Sequence, residues 1–205
     1  MAATGLATEF PGPGLRNPNR YVTGHNAEGE AVFLKTDHGD HRDVMLGGIA
    51  AQSIIYSSGS NPIDLNDNAD LEFAATNKAT NPSGGQPPVH MPNGCVARMI
   101  DFTPGAASDM HRALTLGIGT VCEGEVELSL GSGEKRVLRP GDVSVNRGTM
   151  HKWRNTSNEK PARVLFIMLD IKPLIVNGKT LEFEMGELMD EYAEYAEGQG
   201  PNKKH

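Results

Sequence analysis

Apolar and polar positions alternate in short runs through the second half of the chain. In "VELSL", Val126, Leu128 and Leu130 alternate with Glu127 and Ser129, the period of a strand with one buried and one wet face. The runs "CVARMIDF", "IGTVC", "KRVLR", "DVSVN" and "ARVLFIMLDI" follow one another from Cys95 to Ile171, spaced roughly 8–12 residues apart as in all-β folds. Between them stand the turn sequences "TPGA", "GSGE", "RPGD" and "TSNEKP". "VLFIMLDI" is apolar on both faces, as expected of a strand between a barrel interior and a second packed layer. Regular short strands without a βαβ rhythm predict an all-β sandwich or barrel.

The ends depart from this pattern. Residues 1–20 are rich in Gly, Pro and Asn without hydrophobic periodicity, which predicts a flexible or draped N-terminal arm. "RYVTGHNAEGEAVFLKTD" reads as strand, turn, strand, with "AEGE" as the turn. "DVMLGGIAAQSIIYSSG" is ambiguous: Gly47 and Gly48 argue against a helix, and "QSIIYSS" has strand character. Residues 58–94 form a long connection with one short helix near "DNADLEFAA", and loops of this length are usually functional or mobile. In the tail, Met185, Leu188, Met189, Tyr192, Tyr195 and Ala196 recur at helical spacing while Glu and Asp fill the other face. The organisation expected is an arm over 1–20, one barrel domain over 21–180 with core strands over 95–170, and an acidic amphipathic C-terminal helix and tail over 181–205.

Composition narrows the function classes. The 205 residues suit one domain, and 24 Gly with 13 Pro favour a turn-rich fold over a helix bundle. A net charge of −7 with no basic block argues against nucleic acid as a partner. Cys95 and Cys122 lie in strand-like runs and read as reduced core thiols. The first twenty residues hold no apolar leader, and no apolar run is long enough to span a membrane, so the expectation is a soluble, cytoplasmic protein.

Two histidines draw the candidate chemistry together. His111 follows Gly105 after five residues, with Gly124 beyond it; His151 follows Gly148 after two residues and precedes Asn155 by three. These spacings resemble the two motifs of the cupin superfamily, small jelly-roll barrels built as a double-stranded β-helix. "RPGD", "RGTMH" and "HKWRN", with the opening "RYVTGHNAEGEAVF", resemble a group of small fungal cupins often found among secondary-metabolism enzymes. The resemblance covers nearly all of residues 20–178. It implies a barrel with an N-terminal extension and a C-terminal α-helix, a small-molecule substrate and a homodimer.

Departures from the motifs bear on mechanism. Ala113 stands where the second histidine of the first motif belongs, Gly117 where its acidic residue belongs, and Asn146 where the second motif has proline. Carried over, only His111 and His151 remain of three His and one Glu, and two imidazoles are a weak site for Fe, Mn or Ni. No cofactor is predicted; a divalent transition metal would need a ligand from elsewhere. The two histidines are either a catalytic acid/base pair, ligands of such a completed site, or inert relics. Arg98 shares the phase of Val96, Ile100 and Phe102, and inside a barrel it either meets a substrate anion or pairs with a carboxylate such as Asp101. Arg112 and Arg147 flank the histidines at the rim. Trp153 faces the side of His151 and either walls a pocket or fills core. His90, in the long connection, either reaches the barrel mouth or faces solvent. The "TDHGDHRD" cluster reads as a solvated loop.

The residues and the resemblance together imply a cupin-fold enzyme, of lyase or isomerase type, acting on a small oxygenated metabolite, for example a polyketide-derived one. Decarboxylation, dehydration, isomerisation or cyclisation by His111 and His151 needs no metal, with Arg98, Trp153, Arg112 and His90 as substrate contacts. Two alternatives stand beside it: a non-catalytic small-molecule-binding or accessory cupin, and a metal-dependent dioxygenase, against which Ala113 and Gly117 count.

Overall fold

The computed structural model describes residues 5–76 and 91–186 of the chain. β1 (Arg20–His25) and β2 (Ala31–Asp37) form a hairpin, whose turn is tied by the Asn26 Oδ1 accepting from the N–H groups of Glu28 and Glu30. β3 (His41–Met45) and β4 (Ala50–Ser58) follow, then α1 (Ala69–Thr76), where "DNADLEFAA" predicts a helix. The remaining strands are β5 (Cys95–Phe102), β6 (Thr115–Glu123), β7 (Val126–Leu130), β8 (Lys135–Leu138), β9 (Val143–Arg147), β10 (His151–Asn155) and β11 (Ala162–Asp170).

A six-stranded antiparallel sheet, ordered β3-β4-β5-β11-β6-β9, faces a three-stranded sheet ordered β10-β7-β8. Between them pack Phe102, Val121, Val126, Trp153, Val164 and Phe166. This is the all-β architecture that the strand pattern predicts, in the jelly-roll form that the resemblance implies. β11, apolar on both faces, is central in the larger sheet, with β5 on one side and β6 on the other. The ambiguous stretch over 43–59 is strand, tight turn, strand. Gly48 serves that turn with a φ of 100°, and a Cβ there would come within 2.8 Å of the Ala7 carbonyl oxygen.

The structure decides two expectations about the ends. Of the two readings of the N-terminal arm, the described part follows the draped one and is not flexible: Ala7 and Phe10 are buried, the Ala7 N–H donates to Gly48 O, and the Gly12 N–H donates to Asp101 Oδ2. Its Phe10 ring lies under the guanidinium groups of Arg42 and Arg163. The arm covers the outer face of β4 and β5, where Ala51 and Met99 would otherwise meet water. At the other end, most of the acidic helix expected over 181–205 lies outside the described residues. Its first six positions are not helical: Glu184 and Arg112 exchange backbone hydrogen bonds, Met185 is buried beside Met45, Ala50 and Ala113, and Gly186 turns the chain. Packing and pairing override the helical spacing there. Among the described residues, no helix is long and apolar enough to cross a membrane.

Candidate active site

The space between the sheets contains a cavity of about 90 Å³, room for several waters or one small organic molecule. Arg98 from β5, His111, His151 and Trp153 reach it, as do Thr115 from β6 and Asn146 from β9. The rest of the wall is largely apolar, with Phe102, Phe166 and the thioethers of Met45, Met168 and Met185.

His111 and His151 are direct cross-strand partners, each donating its backbone N–H to the other's carbonyl, at 2.8 and 2.9 Å. That pairing puts both side chains on one face, and the ring centroids are 4.3 Å apart. Each ring is held alike. The Nδ1 of His111 lies 2.8 Å from Asp109 O, and the Nδ1 of His151 lies 2.9 Å from Thr149 O. A carbonyl oxygen only accepts, so both Nδ1 atoms carry the proton and both Nε2 atoms keep a lone pair. The rings are 8% and 7% exposed, which leaves little water to stabilise a charge. Burial pushes His151 down to about 4, with the neighbouring His111 adding to the effect. Burial lowers His111 as well, against the pull of the Asp109 carbonyl. Near neutral pH the cavity therefore holds two uncharged bases.

Trp153 stands edge-on to His151, centroid to centroid 6.3 Å, and to Phe166 at 5.3 Å, so it is at once core and cavity wall. Arg98 points inward, in phase with Ile100 and Phe102, and donates to the Gln52 Oε1 at 3.1 Å. Asp101, a partner the sequence offered it, is on the opposite face and binds Arg163 instead. Arg112 is a correction: it does not reach the cavity. Its backbone pairs with Glu184 and its Nη1 binds the Glu184 carboxylate at 2.6 Å, which turns the guanidinium outward. His90 lies outside the described residues. The "TDHGDHRD" cluster is spent on local ties: Asp37 and Asp40 bind Arg20 and Lys35, His38 meets Pro18 O, and His41 meets Ala74 O.

Sequence reasoning passed over Asn146 and Thr115. In "DVSVN" the valines suggest the inward face, yet Val143 and Val145 are 59% and 61% exposed while Ser144 and Asn146 line the cavity. The signal that could have found Asn146 is its place where the resemblance expects proline.

A cupin-domain model matches residues 98–168, the span from Arg98 to Met168 that carries most of this wall. Over 203 residues the chain is 68% identical to the cupin-domain-containing oxidoreductase srdB of Neurospora crassa, covering 99% of both. The chain belongs to the cupin family. Among its cupin relatives, the cupin-domain-containing oxidoreductase virC of Hypocrea virens is 44% identical over 86% of this chain and 88% of its own. Phomopsin biosynthesis cluster protein C' of Diaporthe leptostromiformis is 37% identical over 87% and 92%. The chain is thus a small cupin of the kind found in fungal secondary metabolism.

Metal binding, which many cupins use, fits this wall poorly. Ala113 and Gly117 face the cavity where a histidine and a carboxylate would be needed. Among the described residues no group of three or more His, Cys, Asp or Glu is placed to hold an ion. Two imidazoles beside a guanidinium, an amide and a threonine hydroxyl are a poor donor set for a transition metal.

Proposed function

We propose that this cupin is an enzyme of secondary metabolism that moves a proton on a small oxygenated metabolite, with His111 and His151 as a metal-independent base pair. The observation that carries the reading is the shared tautomer: both Nδ1–H groups are held by backbone carbonyls, leaving two Nε2 lone pairs at one cavity. Either imidazole takes a proton from an acidic C–H or O–H, and the other, being close, keeps the pair from holding two. The imidazolium so formed returns the proton elsewhere on the ligand, which is the demand of isomerisation, dehydration, decarboxylation or cyclisation. Arg98 is a cation on the same wall, suited to an enolate or carboxylate. The apolar remainder, with Trp153, Phe166 and Met168, takes the body of the ligand.

The relatives' name of oxidoreductase favours a second reading, in which the same deprotonation precedes loss of electrons to an oxidant such as dioxygen. One experiment addresses both. A panel of 1,3-dicarbonyl and phenolic carbonyl compounds is incubated in D2O with chelator-treated protein, with and without air, and followed by NMR. Deuterium wash-in without air, slowed about a hundredfold or more in His111→Ala and His151→Ala, is expected of a positioned base. Conversion that needs air moves the oxidation reading forward. Binding with neither exchange nor conversion leaves a cupin that only binds.

A further inference from the structure

Asn146 sits on β9, where the cupin motif has proline, and its amide has a fixed direction. The Oδ1 accepts from both the N–H and the hydroxyl of Thr149, each at 3.0 Å. Two donors on one side of the group mean that the oxygen faces them, so the NH2 faces away. That Nδ2 is buried, belongs to a cavity-lining residue and has no acceptor among the described residues. Its cross-strand partner on β6 is Gly117, which brings no side chain to cover or satisfy it. Crowding does not dictate that glycine. A Cβ at 117 would lie 3.4 Å from the Met168 sulfur and 3.8 Å from the Asn146 Cβ, ordinary contacts, with no unusual φ to forbid a side chain. A buried donor without an acceptor is costly, and the residue that carries it lines the cavity.

We propose that Asn146 is an oxygen-binding residue of the cavity, its amide donating to a carboxylate, enolate or phenolate oxygen of the bound small molecule. The residue stands on the larger sheet, and the imidazole pair stands on the segments of the smaller one, so a ligand in the cavity lies between them. A proton leaving the ligand goes to an Nε2, and the electron pair it leaves behind collects on the oxygen that Asn146 holds. The inference shares with the proposed function only the cavity as the ligand site; it does not need proton transfer to be right.

Trp153, the one tryptophan of the chain, lines the same cavity, so its fluorescence reports occupancy. The probes are propionate and benzoate, with propanol and benzyl alcohol as their neutral counterparts. Asn146→Leu removes the donor at similar size and adds no charge of its own. The expected result is that Asn146→Leu weakens the anions about tenfold or more, the scale of one lost charge-assisted hydrogen bond, and leaves the alcohols within about twofold. His151→Ala, as the parent for the same comparison, retains the anion-selective loss. Equal loss of anions and alcohols means that Asn146 only shapes the wall and overturns the proposal. So does unchanged anion binding, or a native protein that binds none of the probes. If deuterium exchange fails while the anion-selective loss holds, the base pair is wrong and Asn146 stands.

Discussion

Among the described residues, two pairs of ionisable side chains are buried, and both are direct cross-strand partners. Asp101 and Arg163 face each other on the outside of the larger sheet at 1% and 2% exposure; His111 and His151 face each other at the cavity at 8% and 7%. The placement is alike and the outcome opposite. Arg163 gives Nε and Nη2 to the two Asp101 oxygens at 2.6 and 2.7 Å and Nη1 to Arg16 O, while the Gly12 N–H completes the carboxylate. Opposite charges, hydrogen-bonded on every side, can stay charged without water. Burial pushes the Asp101 carboxyl up, and Arg163 and the Gly12 N–H pull it back. Two like bases have no such compensation, so they are buried neutral, which makes one pair a clamp and, in the proposed function, the other a reagent.

The largest effect is expected from breaking the clamp. Asp101→Asn leaves the buried Arg163 charge with only the half-exposed Glu123, 3.8 Å from its Nη1, as a counter-charge, and loosens the arm through Gly12. Loss of one partner from a buried pair costs about 3–5 kcal/mol, read from urea unfolding. A cost below about 1 kcal/mol would show that the pair is not buried in solution, and the comparison would fail at that point.

Acid probes the other pair. The unfolded chain protonates histidine near pH 6.5, about the ordinary value, whereas folded His151 is pushed down to about 4. Between those values the unfolded state binds more protons, so stability is full above that window, falls as pH drops through it and levels off below. A depression of this size is worth about 3 kcal/mol. Asp101, raised on folding, contributes with the opposite sign at its own pH, and the contribution cancels when wild type is compared with His151→Gln. The variant's stability is expected to be flatter between pH 6.5 and 4. Parallel profiles would mean that the imidazole is charged or solvated, and the base-pair reading would lose its footing.

The barrel was legible because its signals are local. Alternation in "VELSL", the apolar β11 and the Gly-Pro turns each predict their own strand or bend, and the two motifs place His111 beside His151 through the resemblance. What escaped is long-range. Phe10 and Ala7 carry no period, yet they are buried because a face of β4 and β5 needs cover. Arg163 and Asp101 are 62 residues apart, so the sequence offered Asp101 to its neighbour Arg98, and only the strand pairing of β5 with β11 names Arg163. β9 reverses the usual alternation, with Val143 and Val145 exposed while Ser144 and Asn146 line the cavity, and nothing within "DVSVN" announces that reversal.

A third pair sharpens the rule that burial decides the worth of a charge contact. Arg112 and Glu184 also face each other across a bridge, and their 2.6 Å contact is as short as the Arg163 Nε–Asp101 contact. Glu184, however, has a side chain 54% exposed against 16% for Arg112, so water and salt screen the attraction and hydrate the carboxylate if Arg112 is removed. Arg112→Ala is expected to cost less than about 1 kcal/mol, part of it from the lost packing of the stem. Because the guanidinium turns away from the cavity, anion binding reported by Trp153 should shift by less than about twofold, against the tenfold scale of one charge-assisted hydrogen bond. A larger shift in binding with unchanged stability would restore Arg112 as a ligand contact, reached by a swing away from Glu184. A larger loss of stability would mean that the contact is sheltered in solution, and distance rather than burial would then be ranking the three pairs.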